Sequence, residues 1–525
     1  MSISNIQPVL INGTWTESDS VSTFRPVNPL TKEPTNELYP VSSIKDVETA
    51  IESAAEASDN LLGLGPTSIA DFLECYADRI EARRSDLVDM AHIETSYPKE
   101  TRLDGIELPR TVNQLRQAAN AARNRSWISP TIDTQTNIRS MYAALEGGVV
   151  VFGPNNFPFA FGSISGGDFA AAIAAGNPVI AKANSSHPGT TRLFAEEALE
   201  AVKDSGLPNS MVQLIYRTRH DVGERLVSHP LVGATGYTGS RGAGLVLKNA
   251  ADRAGKPIYL ELSSVNPVVI LPGALRERGS EIAEEFVSSC LLGTGQFCTN
   301  PGLVILRKDA ATDLFIQDIS QKFREAPVGT LLGESVEKGM ADGVQALQDA
   351  GAELLVGGKS GGGNGFCYQN TLLQVTGAQF LSQAGDLQKE IFGNESLLVL
   401  VDDLDQARRI LRLLEGNLTG TVYSASDGAD DAAYSQVVPI LRRRVGRLIN
   451  NKMPTGVAVS PAMNHGGPFP ATGHPSFTSV GIPAAITRFA QLQCFDNVSS
   501  GHLPTELQDG NPLGIWRFID GQWIS

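Results

Sequence analysis

Val232-Gly-Ala-Thr-Gly-Tyr-Thr-Gly239-Ser240-Arg-Gly-Ala-Gly244-Leu-Val-Leu-Lys-Asn-Ala-Ala-Asp-Arg253 decides the fold class of this chain. Residues 232–239 read as a strand running into a tight turn, and residues 245–253 read as a helix. A glycine-rich turn in that position has two readings. It is an ordinary left-handed turn, or it is where backbone N–H groups meet a pyrophosphate at a helix N-terminus. The spacing is not Gly-x-Gly-x-x-Gly, so any dinucleotide site here is a variant one.

The same alternation continues on either side. Residues 147–153, 177–183, 212–216 and 257–262 read as strands, and 189–205 reads as a helix. Strands alternating with helices of this length imply right-handed βαβ crossovers and a mainly parallel sheet. A second series begins at Pro267. It runs through a helix over 280–292, a strand over 302–307, a helix over 311–325, and strands over 397–401 and 446–450. The expectation is an α/β protein with two Rossmann-like units, divided near residues 262–266. Residues 1–45 look extended and rich in turns, whereas 47–57, 68–82, 84–95 and 108–122 carry helical periodicity. The expected division is 1–123 with 146–263 as one domain and 264–460 as the second. Residues 124–145 and 461–525 would form an oligomerisation element and tail.

At 525 residues the chain is too long for one core. A formal net charge of −15 argues against phosphate-backbone binding, so nucleic acid is not an expected partner. Five scattered cysteines without a CxxC pair suit free thiols in a reducing compartment. No histidine falls at ligand spacing from a cysteine, so no metal is expected. The first residues lack a basic, then apolar, export signal, and no apolar run is long enough to span a bilayer. These features predict a cytoplasmic protein that does not enter a membrane.

Three further residues carry potential chemistry. Cys298 lies in Gly293-Thr-Gly-Gln-Phe-Cys-Thr-Asn-Pro-Gly302, between a helix and a strand. It is either an inert core thiol or an exposed one held as a reactive thiolate near a helix end. Lys182 ends a strand, where it is a surface lysine or a donor to a ribose or phosphate. Glu261 ends a very apolar strand, where it is structurally paired or desolvated for general-base work.

Val151-Phe-Gly-Pro-Asn-Asn156-Phe-Pro158, Lys182, Gly239-Ser240, Glu261, Gln296-Phe-Cys298 and Lys389-Glu390-Ile-Phe392-Gly393 occur in this order. With that set, the chain resembles the NAD(P)-dependent aldehyde dehydrogenase superfamily over nearly all its length. The segments 161–187 and 465–481 look most like its α-ketoglutarate (2,5-dioxopentanoate) semialdehyde dehydrogenases, a group that includes NADP-linked fatty aldehyde dehydrogenases. The resemblance implies an aldehyde dehydrogenase-like fold, with the first domain binding the cofactor, the second catalytic, and assembly as a homodimer or homotetramer.

The same resemblance implies roles. Cys298 attacks the aldehyde, Asn156 and the Cys298 N–H hold the oxyanion, and Glu261 activates the hydrolytic water. Lys182, Gly239, Ser240, Glu390 and Phe392 contact the cofactor. Ser185 stands where relatives carry an acid that would repel a 2′-phosphate. This leaves room for NADP as well as NAD, with Arg219 or Arg217 as counter-charge. Arg110 and Arg116, on the helix expected to line the aldehyde tunnel, suit a distal carboxylate. Phe297 and His465 are expected in the tunnel wall, His465 not as a base. The implied reaction is oxidation of 2,5-dioxopentanoate to 2-oxoglutarate. The alternatives are a fatty or general aliphatic aldehyde as substrate, or an idle relative serving as a binding protein.

Overall fold

The computed structural model describes residues 6–20 and 22–525. Residues 1–5, on which part of the reading of the N-terminus falls, and Val21 lie outside them.

Two seven-stranded sheets and a five-stranded one organise the chain. In the first, Ile258–Glu261, Val232–Thr238, Gly148–Phe152, Val179–Lys182 and Val212–Ile215 lie side by side in parallel, extended by an N-terminal antiparallel hairpin. Parallel strands are covered on both faces and therefore read as continuous apolar runs. Val149, Val150 and Val151 are accordingly all at or near zero exposure. The covering helices start where their sequences say they should. Ile44–Leu61, for instance, opens on a capping box in which Ser43 and Asp46 satisfy each other's backbone N–H groups.

The second sheet runs Glu353–Val356, Thr371–Thr376, Glu395–Val401, Leu303–Arg307, Val268–Ile270, Asn417–Tyr423 and Val445–Asn450. All pairings are parallel except that of the first strand. The third sheet joins Thr131–Asp133 and Ile138–Ala144 to the distant Ala490–Asp496, Arg517–Ile519 and Gln522–Ile524.

Register fixes what faces what. Tyr237, Phe152 and Lys182 stand in one row with Leu260, and the Glu261–Thr238 pair lies one residue further along, at the carboxyl edge of the first sheet. In the second sheet Val268 pairs with Val304 and Leu303 with Leu397, so Asn266, Cys298 and Phe392 all precede its amino edge. The carboxyl edge of an open α/β sheet is where ligands bind. Here it meets the amino edge of a second sheet that carries a thiol.

One helix departs from expectation. Before Leu108–Asn124 lies a π-helical segment, Lys99–Glu107, where the sequence shows no strong period. Widened turns of this kind often mark functional sites, and this one carries Arg102 into the site. Among the described residues, no helix is long and apolar enough to cross a membrane.

Candidate active site

The nucleophile loop is held by short-range geometry. Gly293 and Thr294 both have left-handed φ, and a Cβ on Gly295 would sit 2.1 Å from the Gly393 carbonyl oxygen. Only glycine lets this loop press against Phe392-Gly393. Asn266, itself left-handed, donates from Nδ2 to the carbonyls of Cys298 and Asn300, both at 2.9 Å. The Asn417 side chain in turn accepts from the Val265 and Asn266 N–H groups. The Cys298 N–H meets no acceptor among the described residues. Buried Asn156 donates from Nδ2 to the Gln296 carbonyl at 2.9 Å, which brings its amide to the same loop.

Cys298 is partly exposed and lines the large cavity of the site, but its surroundings do not hold it as the thiolate that its position near a helix end suggested. Burial, together with the Glu261 and Glu390 carboxylates, pushes its thiol well above the ordinary range. The helix it follows, Pro272–Leu291, presents its C-terminus, whose partial charge does not favour a thiolate.

Glu261 and His465 form one unit with the thiol. His465 Nε2 lies 2.7 Å from Glu261 Oε1 and 3.5 Å from Cys298 Sγ. Ser479 Oγ donates to Glu261 Oε2 at 2.9 Å. Burial works against ionising Glu261, but His465, Ser479 and Arg488 outweigh it and hold its carboxyl below the ordinary value. His465 was expected in the tunnel wall; it stands instead between base and nucleophile. Its ring packs 5.7 Å from Phe161, which meets Phe157 edge-on at 5.2 Å, and Phe157 in turn meets Phe297 edge-on at 5.3 Å.

A cavity of about 1180 Å³ opens onto Cys298, lined in part by Phe157, Phe161, Phe297, Arg102, Arg110 and Arg447. Arg102 is neutralised by Glu107 at 3.2 Å and caps the Phe157 ring. Arg110 is different. Its Nη1 donates to the Val457 carbonyl, while Nε and Nη2 are buried without partners, and burial pulls its pKa down. Arg116 does not reach this cavity. It pairs with Asp78 and Glu81 on the outer face of the helix, because six residues turn a side chain about 240° around a helix.

The residues at the sheet edge suit a dinucleotide. Ser240 begins the helix Arg241–Arg253 with no side-chain cap, and nothing lies within 4 Å of where a Gly242 Cβ would stand. This helix N-terminus is therefore open to an anion. The neighbouring helix Pro188–Asp204 is closed, since buried Glu94 accepts from the Gly189 and Thr190 N–H groups at 2.8 Å. Lys182 is pushed down to about 8 by burial and by a second cation, Arg217. Ser185 follows on the loop. Arg219 instead turns outward onto Asp221, so Arg217 is the arginine that bears on Lys182. Glu390 is pushed up to about 8 by burial, with Ser263 and Ser264 as its hydrogen-bonding neighbours.

Asn266, Arg102, Arg447 and Ser479 were not singled out from sequence. For Asn266 the only signal was its type, since asparagine tolerates left-handed backbone better than most residues, although the following proline favours extended backbone. The others gain meaning only from tertiary contacts.

A nucleotide-type sheet edge facing a thiol, an amide and two carboxylates, one buried and one half-buried, defines a cofactor-dependent α/β oxidoreductase. The aldehyde dehydrogenase family pattern matches residues 15–471, and the chain belongs to that family. It is 40% identical to alpha-ketoglutaric semialdehyde dehydrogenase 2 of Azospirillum brasilense, covering 98% of each chain. Identity is 38% to alpha-ketoglutaric semialdehyde dehydrogenase of Acinetobacter baylyi, with 95% of each covered. The fold matches an NAD+ complex of aldehyde dehydrogenase from Bacillus cereus with a TM-score of 0.79 at 19% identity, over 94% of this chain and 96% of that one. The protein is thus an enzyme that oxidises aldehydes with NAD(P).

Proposed function

We propose that this enzyme oxidises 2,5-dioxopentanoate to 2-oxoglutarate through a thioester on Cys298. The carrying observation is Arg110, a buried guanidinium with two unpartnered nitrogens in the cavity that ends at the nucleophile. Glu107 bears on its charge and the Phe161 ring faces it. Buried guanidinium nitrogens without hydrogen-bond acceptors are nonetheless costly, and a substrate carboxylate would supply those acceptors. The two curated relatives, both named for this semialdehyde, support the same reading.

The chemistry follows from the arrangement. Glu261, held ionised, takes the Cys298 proton, and the sulfur bonds to the aldehyde carbon. The oxyanion so formed is met by the Asn156 amide and the Cys298 N–H; removing one such donor typically costs about 3–4 kcal/mol of barrier. Bound NAD(P) supplies the hydride acceptor, and Cys298 is left acylated. Glu261, having passed its proton on, takes one from water, which attacks the acyl carbon and breaks the C–S bond. His465 Nε2–H anchors Glu261 and stands ready to stabilise the departing thiolate. Lys182, Ser240 and Gly239 hold the adenosine and pyrophosphate part, while Glu390 and Phe392 hold the nicotinamide end. Lys182, Arg217 and the neutral Ser185 support use of NADP.

Steady-state rates with dioxopentanoate, succinate semialdehyde and hexanal, for wild type and Arg110→Met, test the substrate. The expected outcome is a KM raised about tenfold or more for both carboxylated aldehydes and unchanged for hexanal. Equal loss on all three would remove the anion seat. A preference for hexanal in wild type would favour the aliphatic alternative, to which the aromatic lining of the cavity lends some support. Five free cysteines support a cytoplasmic setting, and the outer strand Ala490–Asp496, with Leu492 exposed, supports a homodimer or homotetramer.

A further inference from the structure

Three side chains that sequence spacing separates by up to 204 residues converge on one point. The Cys298 sulfur, a His465 nitrogen and a Glu261 oxygen all lie within 4.8 Å of one another. The absence of ligand-spaced residues in the sequence therefore misleads. We propose that this trio is also a binding site for a borderline-soft divalent cation of the zinc class, and that occupancy reversibly blocks the enzyme.

The ligand set is the first argument. Thiolate, imidazole and carboxylate are the donors that zinc takes, and three protein ligands with one open position make a common zinc arrangement. Hard ions such as magnesium prefer all-oxygen sites. Geometry is the second. Tetrahedral zinc with metal–sulfur about 2.3 Å and metal–nitrogen or –oxygen about 2.05 Å places sulfur and nitrogen about 3.5 Å apart. The observed Sγ–Nε2 distance is 3.5 Å. Nitrogen and oxygen would stand about 3.3 Å apart, against 2.7 Å observed, so a small outward swing of the carboxylate completes the cage.

Charge is the third argument. Binding releases the thiol proton to solvent and requires the imidazole's one proton to move from Nε2, where it faces Glu261, to Nδ1. One thiolate and one carboxylate then neutralise the dication, which removes the penalty of a buried net charge. Cys298 also lines the large cavity, so a cation arriving there meets the sulfur first. The fourth position faces the space that the aldehyde needs. Metal and aldehyde therefore compete for the same sulfur.

The test uses the full-length, cofactor-free protein and Cd2+ as a spectroscopic stand-in for Zn2+. Expected are one Cd2+ per chain by equilibrium dialysis and an ultraviolet thiolate-to-metal charge-transfer band that is absent in Cys298→Ala. In parallel, micromolar Zn2+ should abolish aldehyde oxidation, EDTA should restore it, and equimolar Mg2+ should do nothing. Even outer-shell partners are worth about 10–100-fold in metal affinity, so His465→Gln should weaken Cd2+ binding by about tenfold or more. Glu261→Gln repeats the measurement should His465→Gln not fold. Equal Cd2+ affinity in wild type and both variants would reduce the effect to simple mercaptide formation and overturn the site. So would a stoichiometry above one that persists in Cys298→Ala. The band is read without turnover, so its absence is distinguishable from failure of the proposed reaction.

Discussion

Glu261 and Glu390 both flank Cys298, the first buried and the second half-buried, and they titrate in opposite directions. Glu261 has His465 at 2.7 Å, Ser479 at 2.9 Å and the charge of Arg488 nearby, and its carboxyl stays below the ordinary range despite burial. Glu390 has burial and the repulsion of Glu261 against it, with only serine groups to help, and rises to about 8. Pairs of titratable groups pushed apart by their surroundings reveal the division of labour in a site. By that rule Glu261 is the carboxylate suited to the base role proposed for it. Glu390 is a neutral donor and acceptor, suited to a ribose hydroxyl.

Breaking Glu261 should cost most. Glu261→Gln is expected to lower kcat by about 10²–10⁴-fold, the usual worth of a positioned base. Glu390→Gln keeps the neutral form and should mainly raise the cofactor KM. A matching collapse of kcat in Glu390→Gln would reverse the two roles.

A sharper probe is His465→Gln. Without the imidazole, burial dominates Glu261, and the acid limb of the kcat–pH profile should move upward towards neutrality, with kcat down about tenfold at its optimum. An unmoved limb would mean that His465 does not set the charge of Glu261.

The smallest effect is on stability. Glu390 has a folded pKa near 8 against an ordinary 4.5, so the folded state holds its proton more tightly than the unfolded one. That stability is complete below about pH 4.5 and is lost as pH rises towards about 8. Glu261, depressed, contributes the opposite way, adding stability above its unfolded pKa that is lost as acid titrates it. Chemical denaturation across this range should show a shallower decline in Glu390→Gln than in wild type.

The contrast between the two carboxylates was only half visible in the chain. That Glu261 ends a strand could be read from its apolar run, and Cys298, Asn156 and Glu390 from local motifs. What holds Glu261 ionised could not, because His465 lies 204 residues away and is brought in by a loop with no regular period. The parallel strands of the first sheet were legible because buried parallel strands write themselves as apolar runs. The second was read only in part: Asn417–Tyr423 is fully buried yet mixes Thr, Gly and Asn with its apolar residues, and Thr371–Thr376 and Glu353–Val356 were also missed. The third sheet was not legible, since Ile138–Ala144 pairs with Ala490–Asp496 across some 350 residues and both strands are half exposed. The charge of Arg116 suits a carboxylate, but six residues beyond Arg110 it falls on the outer side of the helix, where it pairs with Asp78 and Glu81.

The most direct test of a thioester released by Glu261 is intact-protein mass spectrometry of Glu261→Gln mixed with dioxopentanoate and NADP. Because Glu261 also takes the Cys298 proton, the predicted result is a slowed single turnover that stops at one NADPH per chain, with the acyl group found on the peptide bearing Cys298. Full turnover without any adduct, or an adduct on Cys290 instead, would contradict it.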